Sequence, residues 1–235
     1  MNLDTFILET HFPGKLIFTK VWGSWSHNTN LPDSDMDFLA VYQAPTKDVL
    51  SLNPPSDTIE GNKPDYQGHE LSKFCRLLLK GNPGVVEMLF TEKMCYVAEA
   101  WQELKEQRKN FLSRKTVRQY LGYAEGQLNK LTKGSYLKTT GGRFNEKWAY
   151  HLIRLLMDTQ RITKGEDPVL WKEEEERSTL MDIRTRATSQ EYVVEMAKRL
   201  IKDIDDRKPW NLPEENDKEF LNDWMLRLRL QDLEK

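Results

Sequence analysis

The chain has 235 residues, of which 38% are apolar and 31% charged, and a net charge of −2; that length supports one large domain or two small ones without disulfide or metal staples. No stretch reaches the roughly 18 apolar residues of a membrane span, and Met1-Asn2-Leu3-Asp4 opens without the basic and apolar regions of a signal peptide. The two cysteines, Cys75 and Cys95, sit in no metal-ligand or redox spacing, so they read as small apolar residues and a cytoplasmic, reducing location is expected.

Along the chain, residues 3–12 predict a short amphipathic helix closed by Pro13-Gly14. Lys15 to Trp22 is rich in β-branched and aromatic residues and predicts a strand. Gly23 to Ser34 is polar and turn-rich. Met36 to Tyr42 is nearly continuous in apolar residues, as a strand buried on both faces would be. Residues 43–64 carry four prolines and a glycine and predict mostly loop. A strand near Asp65–His69 then feeds a helix over 70–80, stopped by Gly81-Asn82-Pro83, and a short helix follows over 85–90. Beyond 98 the pattern is helical: 98–110, 114–133 with Ser113 as cap, 143–164 with Gly165 as stop, 189–206 and 216–234. Strands early and helices late indicate an α+β chain.

The chemistry concentrates in Val21-Trp22-Gly23-Ser24, ten residues, and Asp35-Met36-Asp37-Phe38. On a strand, positions 35 and 37 share a face, about 7 Å apart. Two such carboxylates can converge on divalent ions, and magnesium takes carboxylate oxygens while leaving positions for substrate phosphates. Gly23 allows close backbone approach to a phosphate, and Ser24 adds a hydroxyl and an N–H. Two blander readings compete. A calcium loop starting at Asp33 fails, because its glycine and distal glutamate would fall on Phe38 and Ala44. A turn in which the carboxylates only cap backbone N–H groups explains Asp33-Ser34-Asp35 but not a charge at Asp37, inside an apolar run where an unpaired carboxylate is costly.

Gly-Ser, ten residues and Asp-x-Asp after an apolar strand resembles the signature of the DNA polymerase beta nucleotidyltransferase superfamily. Within it the chain is similar to the YcgL-like or RlaP branch associated with RNA repair. Gly81-Asn82-Pro83 with Glu87, then Gly122-Tyr123-Ala124 with Gln127-Leu128, then Lys147 to Leu156, then Ile183-Arg184 follow in that family's order, so the likeness covers about residues 16–190. The chain departs from the pattern at Asn28, where the family tends to have glycine; asparagine tolerates the left-handed conformation that such a position demands. The resemblance implies a third carboxylate on a neighbouring strand, as metal ligand or general base. Asp65 is best placed for it, ahead of Asp57 and Glu70, with a turn role for Asp65 equally open.

Residues 101–164 carry a net charge of +9 between acidic flanks of −5 and −6, which suggests a local phosphate-binding surface. On the 143–164 helix, Lys147, His151 and Arg154 recur at spacings of four and three and share a face, with a satisfied core histidine as the rival reading of His151. The expectation is a minimal polymerase-beta-like domain with a mixed sheet over residues 1–97 and a mainly helical domain over 98–235 forming the other wall of a cleft. The reaction expected is transfer of a nucleoside monophosphate from an NTP, ATP among them, to a hydroxyl, with an RNA end as the favoured acceptor and a protein or small molecule as others. Asp35, Asp37 and Asp65 would hold two Mg²⁺ or Mn²⁺ ions; Gly23, Ser24, Thr29, Ser34, Lys147, His151 and Arg154 would bind the nucleotide. The rivals are a non-catalytic RNA- or nucleotide-binding module, against which the intact Asp pair weighs, and an antitoxin-like transferase that modifies a partner protein.

Overall fold

A computed structural model describes residues 12–62, 64–133 and 144–234 of the chain. Residues 3–11 of the expected first helix, and Gly141-Gly142, lie outside them.

The chain forms two compact units that interleave in sequence. One runs to Leu79, resumes over Gly84–Phe111, and takes the chain again from Asp217; the other holds Lys80–Pro83 and Leu112–Asn216. The single boundary expected near residue 97 follows the order of strands and helices, whereas the units are set by packing, which returns the last helix to the first unit.

That first unit is built on one mixed sheet. Its strands are β1 (Lys15–Trp22), β2 (Asp37–Gln43), β3 (Thr58–Asn62), β4 (Asp65–Glu70) and β5 (Met94–Val97), in the order β3-β4-β2-β1-β5. β2 and β4 are parallel and every other pairing is antiparallel. β2 lies at the centre with Phe38 to Gln43 all buried, as its apolar run requires. β3 sits within the stretch expected to be loop, and β5 was likewise not foreseen. Both are edge strands, half exposed, so neither needs the apolar run that marks a central strand.

Helices α1 (Thr46–Val49), α2 (Leu71–Leu79), α3 (Pro83–Phe90) and α4 (Glu99–Glu106) follow the strands, and α9 (Lys218–Leu233) closes the unit. Phe18 of β1 stacks on Trp101 of α4 with ring centroids 4.0 Å apart, and Phe74 of α2 bridges Trp101 to Trp224 of α9. Such ring pairs add roughly 0.5–1.5 kcal/mol beyond their buried area. α9 is also held by buried polar contacts. Arg229 pairs with Glu70 and donates to Ala44 O at 2.9 Å and Ser72 Oγ at 3.1 Å, while Asp232 accepts from Thr46 N at 2.7 Å. Glu70, at the end of β4, also accepts from Ser72 N at 2.7 Å and so caps α2.

The helical unit contains α5 (Arg114–Lys133), α6 (Glu146–Thr163), α7 (Glu174–Arg184) and α8 (Gln190–Asp206). α6 is its central helix, packed by the other three, and buries Leu152, Ile153, Leu155, Leu156 and Ile162. Ser113 accepts from Thr116 N at 3.2 Å and caps α5 as expected. Gly81 is left-handed (φ +72°), and an added Cβ would lie 2.7 Å from Thr116 Cα, so this stop admits no other residue without displacement. α7 was not foreseen; its signal was the acidic run at its first turn, which the helix dipole favours.

Two measurements test this packing. Arg229→Leu leaves the Glu70 carboxylate buried without its cation and is expected to lower stability by about 3 kcal/mol, read as a lower urea midpoint that a further Glu70→Gln change partly restores. His69 on β4 is buried and its Nδ1 has no partner among the described residues; burial, reinforced by Lys73, pushes its pKa down. The unfolded chain therefore takes up the proton more readily. The contribution is present in full above about pH 6.5 and is lost as pH falls through the folded-state value. His69→Gln is expected to flatten the fall in thermal midpoint just below pH 6.5.

Candidate active site

The first rung of the central hairpin sets the site. Trp22, the last residue of β1, pairs with Asp37, the first of β2. Gly23 then turns the chain into a short 3-10 helix, Gly23–His27, with φ +67°. A Cβ built on Gly23 would lie 2.8 Å from Asp37 Oδ2. The Asp37 carboxylate therefore rests directly against the glycine Cα, and it can do so because that residue has no side chain.

Residues 24–34 bond mainly to themselves. Ser26 Oγ donates to Gly23 O at 2.8 Å, Thr29 N donates to Ser24 O at 3.0 Å, and Trp25 Nε1 donates to Ser34 O at 3.0 Å. Leu31 N donates to Ser34 Oγ at 2.8 Å. Asn28 ends the turn in the left-handed region (φ 57°, ψ 32°), the conformation that asparagine was expected to tolerate. Thr29 is fully buried with its hydroxyl turned to Ser24 O at 3.4 Å. Thr29 and Ser34, expected on the nucleotide, thus spend their hydroxyls on the shape of the loop, while Ser24 stays half exposed.

The expected carboxylates divide. β2 starts at Asp37, so Asp35 precedes the strand and is exposed, whereas Asp37 is half buried. Asp65 is exposed at the start of β4. The parallel register pairs Phe38 with Tyr66, and carried back one residue it sets Asp65 beside Asp37 on the adjacent strand, roughly 4.8 Å away across the sheet. Among the described residues no three His, Cys, Asp or Glu side chains are gathered into a metal-binding group, so Asp65 is brought level with Asp37 without forming a closed trio. The weaker candidates are engaged elsewhere: Glu70 holds Arg229, and Asp57 holds Arg76 at 3.0 Å and Lys73 at 3.5 Å. Partial desolvation opposes them, but Lys73, Thr58 and Arg76 hold the Asp57 carboxyl below the usual carboxylate range.

Two features went unread in the sequence. Lys20, fully buried on β1, lies across from Leu39, and its Nζ sits 5.1 Å from the Trp22 ring centroid. It therefore shares the sheet face of Asp37, one step inward; its signal was a lysine in the middle of an apolar strand. Buried His27 of the turn lies 3.8 Å from the fully buried Glu87 of α3. The cysteines are inert thiols, because burial pushes Cys75 up to about 12 and Cys95 up to about 11.

On α6 the expected cationic strip divides. Lys147 and His151 are exposed, but Arg154 is buried with its Nη1 3.7 Å from Asp158 Oδ2. Asp158 in turn holds the fully buried Lys172 at 2.7 Å. Arg154 is thus part of an internal charge cluster, where the expectation had it on the nucleotide.

The profile of the family described as RlaP, the RNA repair pathway DNA polymerase beta family, matches residues 1–227. The chain belongs to the RlaP family. A relative from Enterobacteria phage T4, an uncharacterized 38.9 kDa protein of the nrdC-mobD intergenic region, is 29% identical over 138 residues, 52% of this chain. That match spans 41% of the phage protein, about two fifths of its length. A nucleotidyltransferase-like protein from Exiguobacterium sibiricum aligns over 82% of this RlaP chain and 70% of its own, with 15% identity and a TM-score of 0.33, a likeness too slight to add to the assignment.

The glycine turn is testable on its own. Gly23→Ala combines left-handed strain with the clash at Asp37 and is expected to cost about 1–2 kcal/mol or more, whereas Asn28→Gly is expected to be neutral or slightly stabilising. Urea midpoints of the two variants should move apart accordingly; equal midpoints would show that the turn tolerates a side chain.

Proposed function

We propose that this RlaP protein transfers a nucleoside monophosphate from an NTP to a hydroxyl acceptor, with an RNA end as the acceptor. The carrying observation is the Asp37 carboxylate seated against the left-handed Gly23 turn at the mouth of the central hairpin. Family membership supports the reaction class, and the RNA repair context supports the acceptor.

The donor set fits magnesium. It consists of carboxylate oxygens alone, one exposed and one half buried, and magnesium is commonly held by one or two carboxylates with water and substrate phosphates completing its shell. Asp35 and Asp37 would hold the metal, and bound Mg²⁺ or Mn²⁺ would offset negative charge on the transferring phosphate. Gly23, lacking a side chain, lets the Asp37 carboxylate seat against the turn, and Ser24 would offer its half-exposed hydroxyl to the donor phosphates. Asp65 is the nearest further carboxylate by register and takes the proton of the attacking hydroxyl. The acceptor oxygen bonds to the α-phosphorus, the bond from that phosphorus to the bridging oxygen breaks, and pyrophosphate leaves. In the helical unit, Lys147 and His151 are exposed, and Arg154 holds α6 through Asp158.

Incubation with labelled NTPs, Mg²⁺ or Mn²⁺ and mixed RNA tests the reading. Label is expected on RNA, and Asp37→Ala, through loss of several kcal/mol of charge stabilisation, is expected to reduce incorporation at least about a hundredfold. Asp65→Asn is expected to slow turnover more at low pH than at high pH. No incorporation by the parent protein would leave a binding module, and label on protein would move the acceptor to a partner chain.

A further inference from the structure

A pocket of about 510 Å³ opens in the helical unit, away in sequence from every residue assigned to the carboxylate site. Arg114, Arg118, Lys208, Pro209, Trp210 and Glu214 line it. Its volume lies in the range of small-molecule sites, and its lining combines three cations with one carboxylate and an apolar floor. Trp210 is buried with its Nε1 donating to Ile204 O at 2.9 Å, so the indole presents only apolar surface to the pocket. Lys208 lies over that ring at 5.2 Å and also pairs with Asp205 at 2.7 Å.

The arginines are arranged around a single internal anion. Glu214 Oε1 accepts from Arg118 Nη2 at 2.6 Å, and its Oε2 lies 3.5 Å from Arg114 Nη1. Arg114 Nε also donates to Trp210 O at 3.1 Å, which fixes the plane of its guanidinium. The N–H groups of Arg114 and Lys115 at the start of α5 are taken by Pro213 O and Glu214 O, so the cationic side chains, not the helix end, face the pocket. A carboxylate and a phosphate offer a guanidinium the same pair of oxygens. Glu214 therefore marks a position that a phosphate can take. The Glu214 side chain is 58% exposed and those of Arg114 and Arg118 are 38% and 50% exposed. Exposed pairs of this kind contribute little to folding, so the carboxylate can swing out and be replaced while the unit stays folded.

We infer that this pocket is a second phosphate-binding site, which takes a nucleotide, free or within a single RNA strand, with its phosphate in place of Glu214 between Arg114 and Arg118. The sugar and base then lie toward Pro209 and Trp210. The anion site stands on the pocket alone; the choice of a nucleotide over other phosphates rests on the RNA reading above.

Fluorescence anisotropy of a labelled single-stranded oligoribonucleotide tests the site. It is run in EDTA on the full-length Asp35→Ala/Asp37→Ala protein, so the outcome stands whether or not the transferase reading does. Glu214→Gln frees both guanidiniums and is expected to tighten binding several-fold. Arg118→Ala removes a charge-assisted hydrogen bond to phosphate and is expected to weaken binding about tenfold or more, with Arg118→Lys between it and the parent and urea midpoints little changed. Competition by AMP identifies a free nucleotide as the ligand; competition by unlabelled strand alone identifies RNA. Absence of binding by the parent, the same affinity in Arg118→Ala, or Glu214→Gln binding no tighter than the parent overturns the inference.

Discussion

One volume conflict organises the candidate site: the Asp37 carboxylate and the α-carbon of residue 23 occupy adjoining space at the end of β1. Glycine resolves it without strain, because any other residue there must hold a left-handed backbone and push aside a carboxylate oxygen that lies 2.8 Å from its Cβ. The consequences run outward from that contact. The turn can enter a tight 3-10 helix immediately after the last rung of the hairpin, and the helix carries Ser24 past the carboxylate. His27 then reaches the buried Glu87 of α3, so the glycine-serine turn and a helix far from it in sequence meet within the sheet unit. Burial of Lys20 on the same sheet face gives the acidic mouth of the hairpin a cation in its interior.

Much of this was legible in the sequence, for identifiable reasons. β1 was readable to the residue, and β2 to within one at either end, because central strands must be apolar on both faces. α5 was readable with its Ser113 cap, and the span of α8 to within one residue. The edge strands β3 and β5 carry no such demand and stayed hidden. The start of β2 at Asp37 instead of Met36 places Asp35 outside the ladder, a difference that period-two reasoning cannot resolve at a strand end. The return of α9 to the sheet unit depends on Arg229 meeting Glu70, a pairing 159 positions apart, and no local pattern signals it. Arg154 is a different failure. Its partner Asp158 stands four residues on, the spacing of a helical ion pair, so the signal of an inward-facing arginine was present in the sequence but not read.

The uneven charge of the chain has a related resolution. The basic stretch over 101–164 suggested a binding surface, and the acidic flank after it looked like a separate feature. Within the helical unit they answer one another in part: Arg114 and Arg118 meet Glu214, Lys115 meets Glu215, and Arg161 meets Glu166 and Glu176. Sequence charge counts do not distinguish a cation offered to a ligand from one already answered by a distant carboxylate, because the answer is made by the fold.

Those pairs are not equivalent, and burial separates their roles. Lys172 and Asp158 are both fully buried; removing either leaves a charge that water cannot reach, at a cost of several kcal/mol, so this pair can only be structural. The Glu214 pairs are exposed on both sides, where water and salt already compete for each partner and the net contribution is of order 1 kcal/mol or less. A phosphate can replace such a carboxylate without the fold losing anything it depends on. The same chemical motif, cation against carboxylate, is thus fixed in the interior of the unit and exchangeable at its surface, and only the exchangeable kind can be turned into a binding site.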